Sequence, residues 1–170
     1  MTLGTRELSE RVEGPDFQGN FINGVDAKGR VSIPAAYRDI IYDRSHERRV
    51  VLMPHRGTMD CIVGHDTSFM KEIARAQTER YSADDVSEEA ERARMRAFGL
   101  THNLPYEEAG RIILHEDLRD YAEIEDKALF FAVGKGFQIW NPELFIEGIK
   151  DSEPKVARMI QRKLDRAVKK

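Results

Sequence analysis

One short motif occurs twice in this chain, and its two copies align without a gap. Gly29-Arg30 is followed, eight residues after the arginine, by Arg38-Asp39, and Gly110-Arg111 is followed at the same distance by Arg119-Asp120. Two copies are too few for a stacked solenoid, which needs several repeats to bury a continuous core. The duplication therefore predicts two related halves that complete one core together.

The segments that follow each copy also align, at a slightly smaller offset, so the second half has a shorter loop. Alternating β-branched residues and turn signals predict strand, turn, strand, short helix, two strands and helix in each half. In the first half the predicted strands are 20–25, 30–33, 49–53 and 60–63, with helices 35–41 and 66–76. In the second half a strand precedes the turn, and the strands after the turn are 111–114, 128–133 and 137–140, with a short helix after 111–114 and another helix from Pro142.

Each half has a tight turn after its first strand. Residues 26–29 have the composition of a type I turn, because Asp26 favours its first position and Gly29 its fourth. Pro34 then ends the following strand and suits the first turn of a helix. The matching turn of the second half is 107–110, where Glu107 stands in place of an aspartate.

Two further helices are predicted outside the halves. The first spans 82–99, with Ser82 as N-cap, Gly99 as the stop and an ion pair between Glu88 and Arg92. The second spans 153–168, has an apolar stripe, and is predicted to pack that stripe while its many cations remain solvated. Nonspecific DNA binding by these cations is the alternative. The stripe of the second helix is formed by Val156, Ile160, Leu164 and Ala167, and that of the first helix by Val86, Ala90, Ala93 and Ala97.

These observations divide the chain into five segments. They are a flexible extension over 1–16, a first half over 17–76, a connecting helix over 77–100, a second half over 101–150 and a basic amphipathic helix over 151–170.

The composition favours a cytoplasmic protein. No apolar run approaches the ~18 residues that a membrane span needs, and the charged first residues do not resemble a secretory signal. The single cysteine, Cys61, excludes an intramolecular disulfide framework, and we expect it to be a buried small apolar side chain. A net charge of −3 argues against a uniformly basic nucleic-acid binder but allows a local basic patch.

The signals for an enzyme are poor. The five histidines lack metal-ligand spacing and are interpreted as solvated side chains. His65 follows Cys61 by four residues, which on an extended chain is ~13 Å and too far to activate the thiol. The glycines at 134 and 136 fit a tight turn rather than a dinucleotide site. We therefore expect no enzymatic activity, no cofactor, no metal ion and no small-molecule substrate.

The first turn carries the most informative chemistry. Lys28 lies at its apex, and the guanidinium of Arg30 suits two phosphate oxygens or the edge of a guanine. Asp26 can accept a hydrogen bond from Arg30 and hold it in one rotamer. A two-stranded ribbon is one of the shapes that fit a DNA major groove. A solvated charged turn remains the alternative on chemistry alone.

Residues 21–38, from Phe21 to Arg38, resemble the N-terminal half of the MraZ family of bacterial transcriptional regulators, which has a D-x-x-x-R motif in each half. Gly110-Arg111 and residues 137–140 resemble its second half. The resemblance covers residues 17–150. It implies an α+β fold of two pseudo-symmetric β-β-α-β-β-α halves that form one AbrB-like swapped-hairpin β-barrel, with peripheral helices. It also implies a ring-shaped homo-oligomer.

The resemblance further implies binding to double-stranded DNA with short direct repeats, in the promoter of the protein's own cell-division and cell-wall gene cluster. This would associate the protein with the nucleoid. A non-DNA oligomeric scaffold or adaptor is the alternative. The expected DNA-binding residues are Lys28, Arg30 and Arg111, and the residues expected to shape the motifs are Asp26, Gly29, Glu107 and Gly110.

The second motif departs from the family pattern. Glu107 replaces aspartate, Ala109 stands where the first motif has lysine, and His115 replaces the proline. Glutamate is a poorer turn starter than aspartate. The second motif is therefore expected to act mainly in structure, with the first as the main DNA contact.

Overall fold

The computed structural model describes residues 14–169, which form eight strands and six helices. The predicted α+β class is confirmed. The strands are β1 (Asn20–Gly24), β2 (Arg30–Ser32), β3 (Arg49–Pro54), β4 (Ile62–His65), β5 (His102–Pro105), β6 (Arg111–Ile113), β7 (Lys127–Ala132) and β8 (Phe137–Trp140). The helices are α1 (Ala35–Ser45), α2 (Thr67–Arg80), α3 (Glu88–Phe98), α4 (Glu116–Ala122), α5 (Pro142–Ile149) and α6 (Pro154–Val168).

The two halves exchange strands. Six strands form one antiparallel sheet in the order β1-β7-β8-β4-β3-β5, so β1 of the first half pairs with β7 and β5 of the second half pairs with β3. The remaining strands, β2 and β6, pair with each other. The strands on either side of each tight turn are therefore not paired along their length; each one adds to the other half.

The strands do not close into the expected barrel within residues 14–169. The β2–β6 ribbon has only three residues in each strand, and both strands pair only with each other. The hydrogen-bond ladder is therefore interrupted between this ribbon and the six-stranded sheet. The architecture is an open sheet crossed by a short ribbon.

The strand registers follow an approximate two-fold axis. In the β2–β6 ribbon, Val31 lies opposite Ile112, which is its own counterpart in the second copy of the motif. At the other end of the axis, β4 and β8 pair with Ile62 opposite Ile139 and Val63 opposite Gln138. In the alignment of the two halves, Ile62 corresponds to Gln138 and Val63 corresponds to Ile139. A two-fold rotation therefore places one of these pairs on the other. The division of the chain into five segments stays a prediction.

The core lies between the sheet, the ribbon and α1, and both halves contribute to it. Tyr37 is fully buried at its centre, where its ring contacts those of Phe17, Phe130 and Phe137 at centroid distances of 4.9–6.2 Å. Its hydroxyl donates to the carbonyl oxygen of Gly19 at 2.7 Å, which satisfies the only polar group of the side chain. Aromatic contacts thus join the segment before β1 to α1, β7 and β8.

The connecting helix begins later than predicted. Its N-cap is Ser87, whose hydroxyl accepts from the backbone N–H of Ala90, and not Ser82. The side chain of Asp85 accepts from the N–H of Ser87 at 2.9 Å, so it stabilises a turn where the helix was expected to continue. Val86 is consequently 81% exposed. The predicted ion pair between Glu88 and Arg92 is confirmed.

The packing of the two predicted stripes is confirmed in part, but the cations of the second helix are not all solvated, because Lys163 is half-buried against Asn20. Ala90, Ala93 and Ala97 are buried on one face of α3. Helix α6 packs its stripe, through buried Ile160 and Leu164, beside α5 and β7.

Cys61 is buried, and burial together with Asp60 raises the pKa of its thiol to about 12.

No helix within residues 14–169 has the length and apolar character that crossing a membrane requires. Most of the segment predicted to be flexible, residues 1–13, lies outside the described residues.

A buried ion pair was not predicted. The guanidinium of Arg44 lies 3.2 Å from the carboxylate of Asp66, and both side chains are fully buried. Arg44 also donates to the carbonyl oxygen of Lys135 at 3.0 Å. His65, next to Asp66, is buried as well, so its interpretation as a solvated histidine is wrong. Burial lowers its pKa, which disfavours its charged form beside Arg44.

Gly110→Ala should destabilise the fold, because Gly110 has φ +70° and a Cβ there would lie 2.4 Å from the Arg38 side chain. We expect the free energy of unfolding to fall by about 1–3 kcal/mol. Gly148→Ala is the matched control, since a Cβ at this helical glycine contacts nothing within 4 Å. It should raise the free energy by about 0.5–1 kcal/mol. Urea unfolding at one protein concentration measures both, and a stabilised Gly110→Ala protein would contradict the packing.

Candidate nucleic-acid interface

The β2–β6 ribbon has an apolar face and a polar face. Val31 and Ile112 point into the core, where they are 2% and 4% exposed. Arg30 and Arg111 occupy alternate positions and point outward. Because Arg30 is opposite Ile113 and Arg111 is opposite Ser32, the two arginines are diagonal neighbours. Residues on such a diagonal are usually roughly 7–8 Å apart, with their Cβ atoms somewhat closer.

We call these four outward positions, Arg30, Ser32, Arg111 and Ile113, the outer face. Arg30, Ser32 and Arg111 line a shallow depression of about 330 Å³ that also reaches Gly24 and Asp26. The structure thus brings together two arginines that belong to different halves of the chain. Ile113 is 59% exposed, so this face also presents one apolar side chain.

The first turn is held by Asp26. One carboxylate oxygen accepts from the backbone N–H groups of Lys28 and Arg30, each at 2.9 Å. The other oxygen lies 2.6 Å from Nε of Arg30 in an ion pair. These contacts lower the pKa of the Asp26 carboxyl, with the backbone N–H of Arg30 as the largest cause and its side chain as the second. Asp26 therefore sets both the turn and the rotamer of Arg30.

Lys28 lies at the exposed apex of this turn but does not line the depression. Within residues 14–169, the terminal nitrogens of Arg30 and the ammonium of Lys28 have no carboxylate partner. Both groups are free to donate hydrogen bonds to a ligand. The motif of Asp26, Lys28 and Arg30 carries a net charge of +1 at neutral pH.

Gly29 connects the first turn to the other half. It is buried with φ +80°, and a Cβ there would lie 2.9 Å from Nε of Arg119 and from the carbonyl oxygen of Leu114. The N–H of Leu114 donates to the carbonyl oxygen of Gly29 at 2.8 Å. Arg119 thus packs across the turn that presents Lys28 and Arg30. Sequence reasoning did not assign this role to Arg119, although the repeated Arg-Asp pair was a signal for it.

The second turn has the same backbone and different side-chain chemistry. Gly110 has φ +70° and donates to the carbonyl oxygen of Glu107 at 2.8 Å, as Gly29 does to Asp26 at 2.9 Å. Arg38 packs against Gly110 and donates to the carbonyl oxygen of Glu108. Among residues 14–169, no turn N–H group donates to the Glu107 carboxylate, in contrast to the bonds that Asp26 accepts.

The cations of the outer face can bind an anion. Within residues 14–169, no group of three His, Cys, Asp or Glu side chains is placed to hold a metal ion. The outer face instead presents two guanidinium groups, each able to donate several hydrogen bonds in a plane. It is an open surface with a shallow depression, as expected for a contact with a macromolecule rather than for an enclosed ligand.

Comparison with known proteins identifies the family. The chain is 31% identical over 135 residues to the transcriptional regulator MraZ of Saccharophagus degradans, a match that covers 79% of this chain and 88% of the relative. The chain belongs to the MraZ family. It is also similar to the MraZ protein of Gluconobacter oxydans, at 35% identity over 133 residues, covering 77% of this chain and 79% of the relative. The MraZ protein of Azorhizobium caulinodans is 34% identical to this chain over 149 residues, a match that covers 87% of this chain and 90% of the relative. No protein-family model matches the chain.

The family assignment confirms the resemblance carried by the two motifs. The roles of Lys28, Arg30 and Arg111 in DNA binding stay predictions, as do the structural roles of Asp26, Gly29, Glu107 and Gly110.

Asp26 should titrate below its ordinary pKa of 3.8, because two backbone N–H groups and the Arg30 side chain stabilise its charged form. The ion pair is then present above this lowered pKa and is lost as the pH falls through it. In Arg30→Gln the pKa should rise but remain below 3.8, since the backbone bonds persist. NMR titration of the carboxyl carbon measures these values, with Arg111→Gln as the control that leaves them unchanged. A wild-type Asp26 that titrates at or above 3.8 would contradict the geometry.

Proposed function

We propose that this protein is a sequence-specific DNA-binding transcriptional regulator that reads double-stranded DNA with the outer face of the β2–β6 ribbon. The observation that carries the proposal is the convergence of Arg30 and Arg111 on one exposed face. An antiparallel ribbon fits the major groove, and arginine binds the O6 and N7 atoms of guanine through two hydrogen bonds. The relatives are named as transcriptional regulators, which agrees with this interpretation.

The first motif supplies most of the readout in this proposal. Asp26 fixes Arg30 through Nε, so the terminal nitrogens are oriented before DNA binds and less side-chain entropy is lost. Lys28, at the apex, donates to a backbone phosphate as a point charge. Arg111 adds a second guanidinium to the same groove, with no carboxylate in its turn to orient it. We expect it to contribute less than Arg30.

The net charge of −3 makes a single copy a weak DNA ligand. We propose that the protein assembles into a ring-shaped homo-oligomer whose ribbons engage several short direct repeats at once. Linked contacts multiply affinity, by about 10²–10⁴ for each added engagement that the geometry allows. Exposed apolar side chains at the end of α3 and just beyond it support a contact between copies; they are Met95, Phe98 and Leu100.

The proposed operator is a set of short direct repeats in the promoter of the protein's own cell-division and cell-wall gene cluster, so the protein would act at the nucleoid. A scaffold without DNA binding is the competing function. It predicts no salt-dependent affinity for that promoter. DNA binding by contact with phosphates must weaken as salt rises, since each contact releases counterions.

Arg30→Ala should abolish preferential binding to the promoter repeats while leaving the fold and the assembly intact. Loss of a bidentate base contact costs about 1–3 kcal/mol for each engaged subunit, and several subunits lose it together. Titration of labelled promoter DNA and a scrambled duplex, at two salt concentrations, measures the effect. Lys28→Ala is the comparison, because losing a phosphate contact should weaken binding to both duplexes and make the salt dependence shallower.

Light scattering should first establish that wild type and variants have the same assembly size, several times the mass of one chain. An assembled Arg30→Ala protein that still prefers the repeats would remove Arg30 from the readout. A wild-type protein without salt-dependent promoter binding would favour the scaffold.

Ile113 is proposed to contact a thymine methyl group. It lies opposite Arg30 on the outer face and is mostly exposed, and apolar side chains recognise thymine through its methyl group. The thymines of the repeats are replaced by uracil one at a time. At one position the wild-type affinity should fall by about fourfold per engaged subunit, because burial of one methyl group contributes ~0.8 kcal/mol. Ile113→Ala should be insensitive at that position. Equal sensitivity of both proteins at every position would argue against the contact.

A further inference from the structure

A second positively charged feature lies beside the ribbon, where α6 crosses the edge of β1. The helix and the strand leave an open groove of about 460 Å³. Three cations line it, and we call it the basic groove: Lys127 at the start of β7, and Lys163 and Arg166 on α6. The buried members of the α6 stripe, Ile160 and Leu164, pack toward the core, whereas Ala167, the last member of the stripe, lines the groove.

Lys163 is held in place by uncharged groups. Its ammonium donates to the backbone carbonyl oxygen of Asn20 at 2.8 Å and to the side-chain oxygen of the same residue at 2.6 Å. These acceptors fix the position of Nζ, which also lies 5.9 Å from the centre of the Phe21 ring, and none of these partners carries a negative charge. Burial, and the nearby positive charge of Arg166, lower the pKa of Lys163. The fold therefore holds two like charges close together at the groove, an arrangement that a bound anion would relieve.

Little negative charge opposes these cations. Asp126 lies 3.3 Å from the ammonium of Lys127, but it is 81% exposed, so water screens this pair. Within residues 14–169, neither Lys163 nor Arg166 forms an ion pair with a carboxylate. By contrast, many other cations have an acidic neighbour on their own helix, as Arg92 has Glu88. The groove thus retains free donors and a net positive charge.

The basic groove adjoins the outer face. Gly24 lines both the groove and the depression between Arg30 and Arg111. Asn23, another groove residue, donates from its side chain to the carbonyl oxygen of Ser32 at 2.6 Å and so ties the groove edge to the ribbon. A duplex whose major groove received the ribbon would carry its sugar-phosphate backbone past this edge, because the backbone borders the groove that the ribbon enters.

We propose that the basic groove binds a backbone phosphate of the same DNA duplex that the ribbon reads, with Arg166 and Lys127 as the donors and Lys163 as a fixed positive charge beside them. This inference rests on the proposed function and extends it from the ribbon to the C-terminal helix. Phosphate contacts carry no sequence information, but they set the register and orientation of a protein on the duplex. Helix α6 would therefore strengthen binding to every sequence and leave the choice of sequence to the ribbon.

The test compares Arg166→Gln with Arg158→Gln by titration of the full-length protein with promoter and scrambled duplexes across a series of salt concentrations. Arg158 is the matched control, because it is an exposed arginine of the same helix that does not line the groove. Both variants lose one charge, so a general effect of net charge is the same in each. Circular dichroism and light scattering establish equal folding and assembly beforehand.

We expect Arg166→Gln to lower the affinity for both duplexes by roughly tenfold or more for each engaged subunit, the scale of a lost charge-assisted hydrogen bond. The slope of log affinity against log salt should become shallower by about 0.9 for each lost contact. The ratio of promoter to scrambled affinity should not change. Arg158→Gln should match the wild type within twofold.

Equal behaviour of Arg166→Gln and Arg158→Gln, whether both weaken or neither does, would overturn the groove as a phosphate site. A changed preference for the repeats in Arg166→Gln would also overturn it, since the contact would then read sequence. The proposed function fails differently, through a wild type that does not prefer the promoter. In that case, comparing the affinities of the two arginine variants for the scrambled duplex still tests whether the groove is a phosphate site.

Discussion

The pairing of β2 with β6 is the interaction on which the rest of this structure depends. It joins the halves at their two-fold axis through three residues from each, with Val31 opposite its counterpart Ile112. At each end a buried glycine with positive φ lets an arginine of the other half pack against the turn, Arg119 against Gly29 and Arg38 against Gly110. A side chain at either glycine would occupy the space of that arginine.

This pairing also explains why the strands are exchanged. Because β2 and β6 face each other, the preceding strands cannot fold back on them and continue instead into the sheet of the opposite half. Neither half has a complete sheet or core of its own, since Val31 and Ile112 share one cluster with residues of both halves. The same geometry turns Arg30 and Arg111 outward together. The proposed DNA-reading surface is thus a product of the exchange.

A near-symmetric backbone carries asymmetric chemistry. Asp26 accepts two backbone hydrogen bonds and orients Arg30, whereas Glu107 makes no equivalent contact within the described residues. Arg30 is therefore held by a carboxylate, whereas Arg111 has no ion pair within residues 14–169. The basic groove lies beside β1 and α6, which places a further cluster of positive charge next to the ribbon. Segregated charge of this kind allows a chain of net charge −3 to present a cationic surface.

The sequence alone determined the duplication, the α+β class, nearly all the elements and the identity of the motif residues, because turn chemistry and apolar periodicity act over a few residues. It also indicated the weaker second motif, since Glu107 is visible as a departure. Tertiary structure alone decided which strands pair, that the strands leave the barrel open, and that Arg30 and Arg111 lie on the same exposed face. The sequence also did not predict the Arg44–Asp66 ion pair or the groove of Lys163 and Arg166, because the residues that form each of them are distant in the chain. Local patterns specify where a strand begins and which face is apolar; only the packing of the whole chain selects its neighbour.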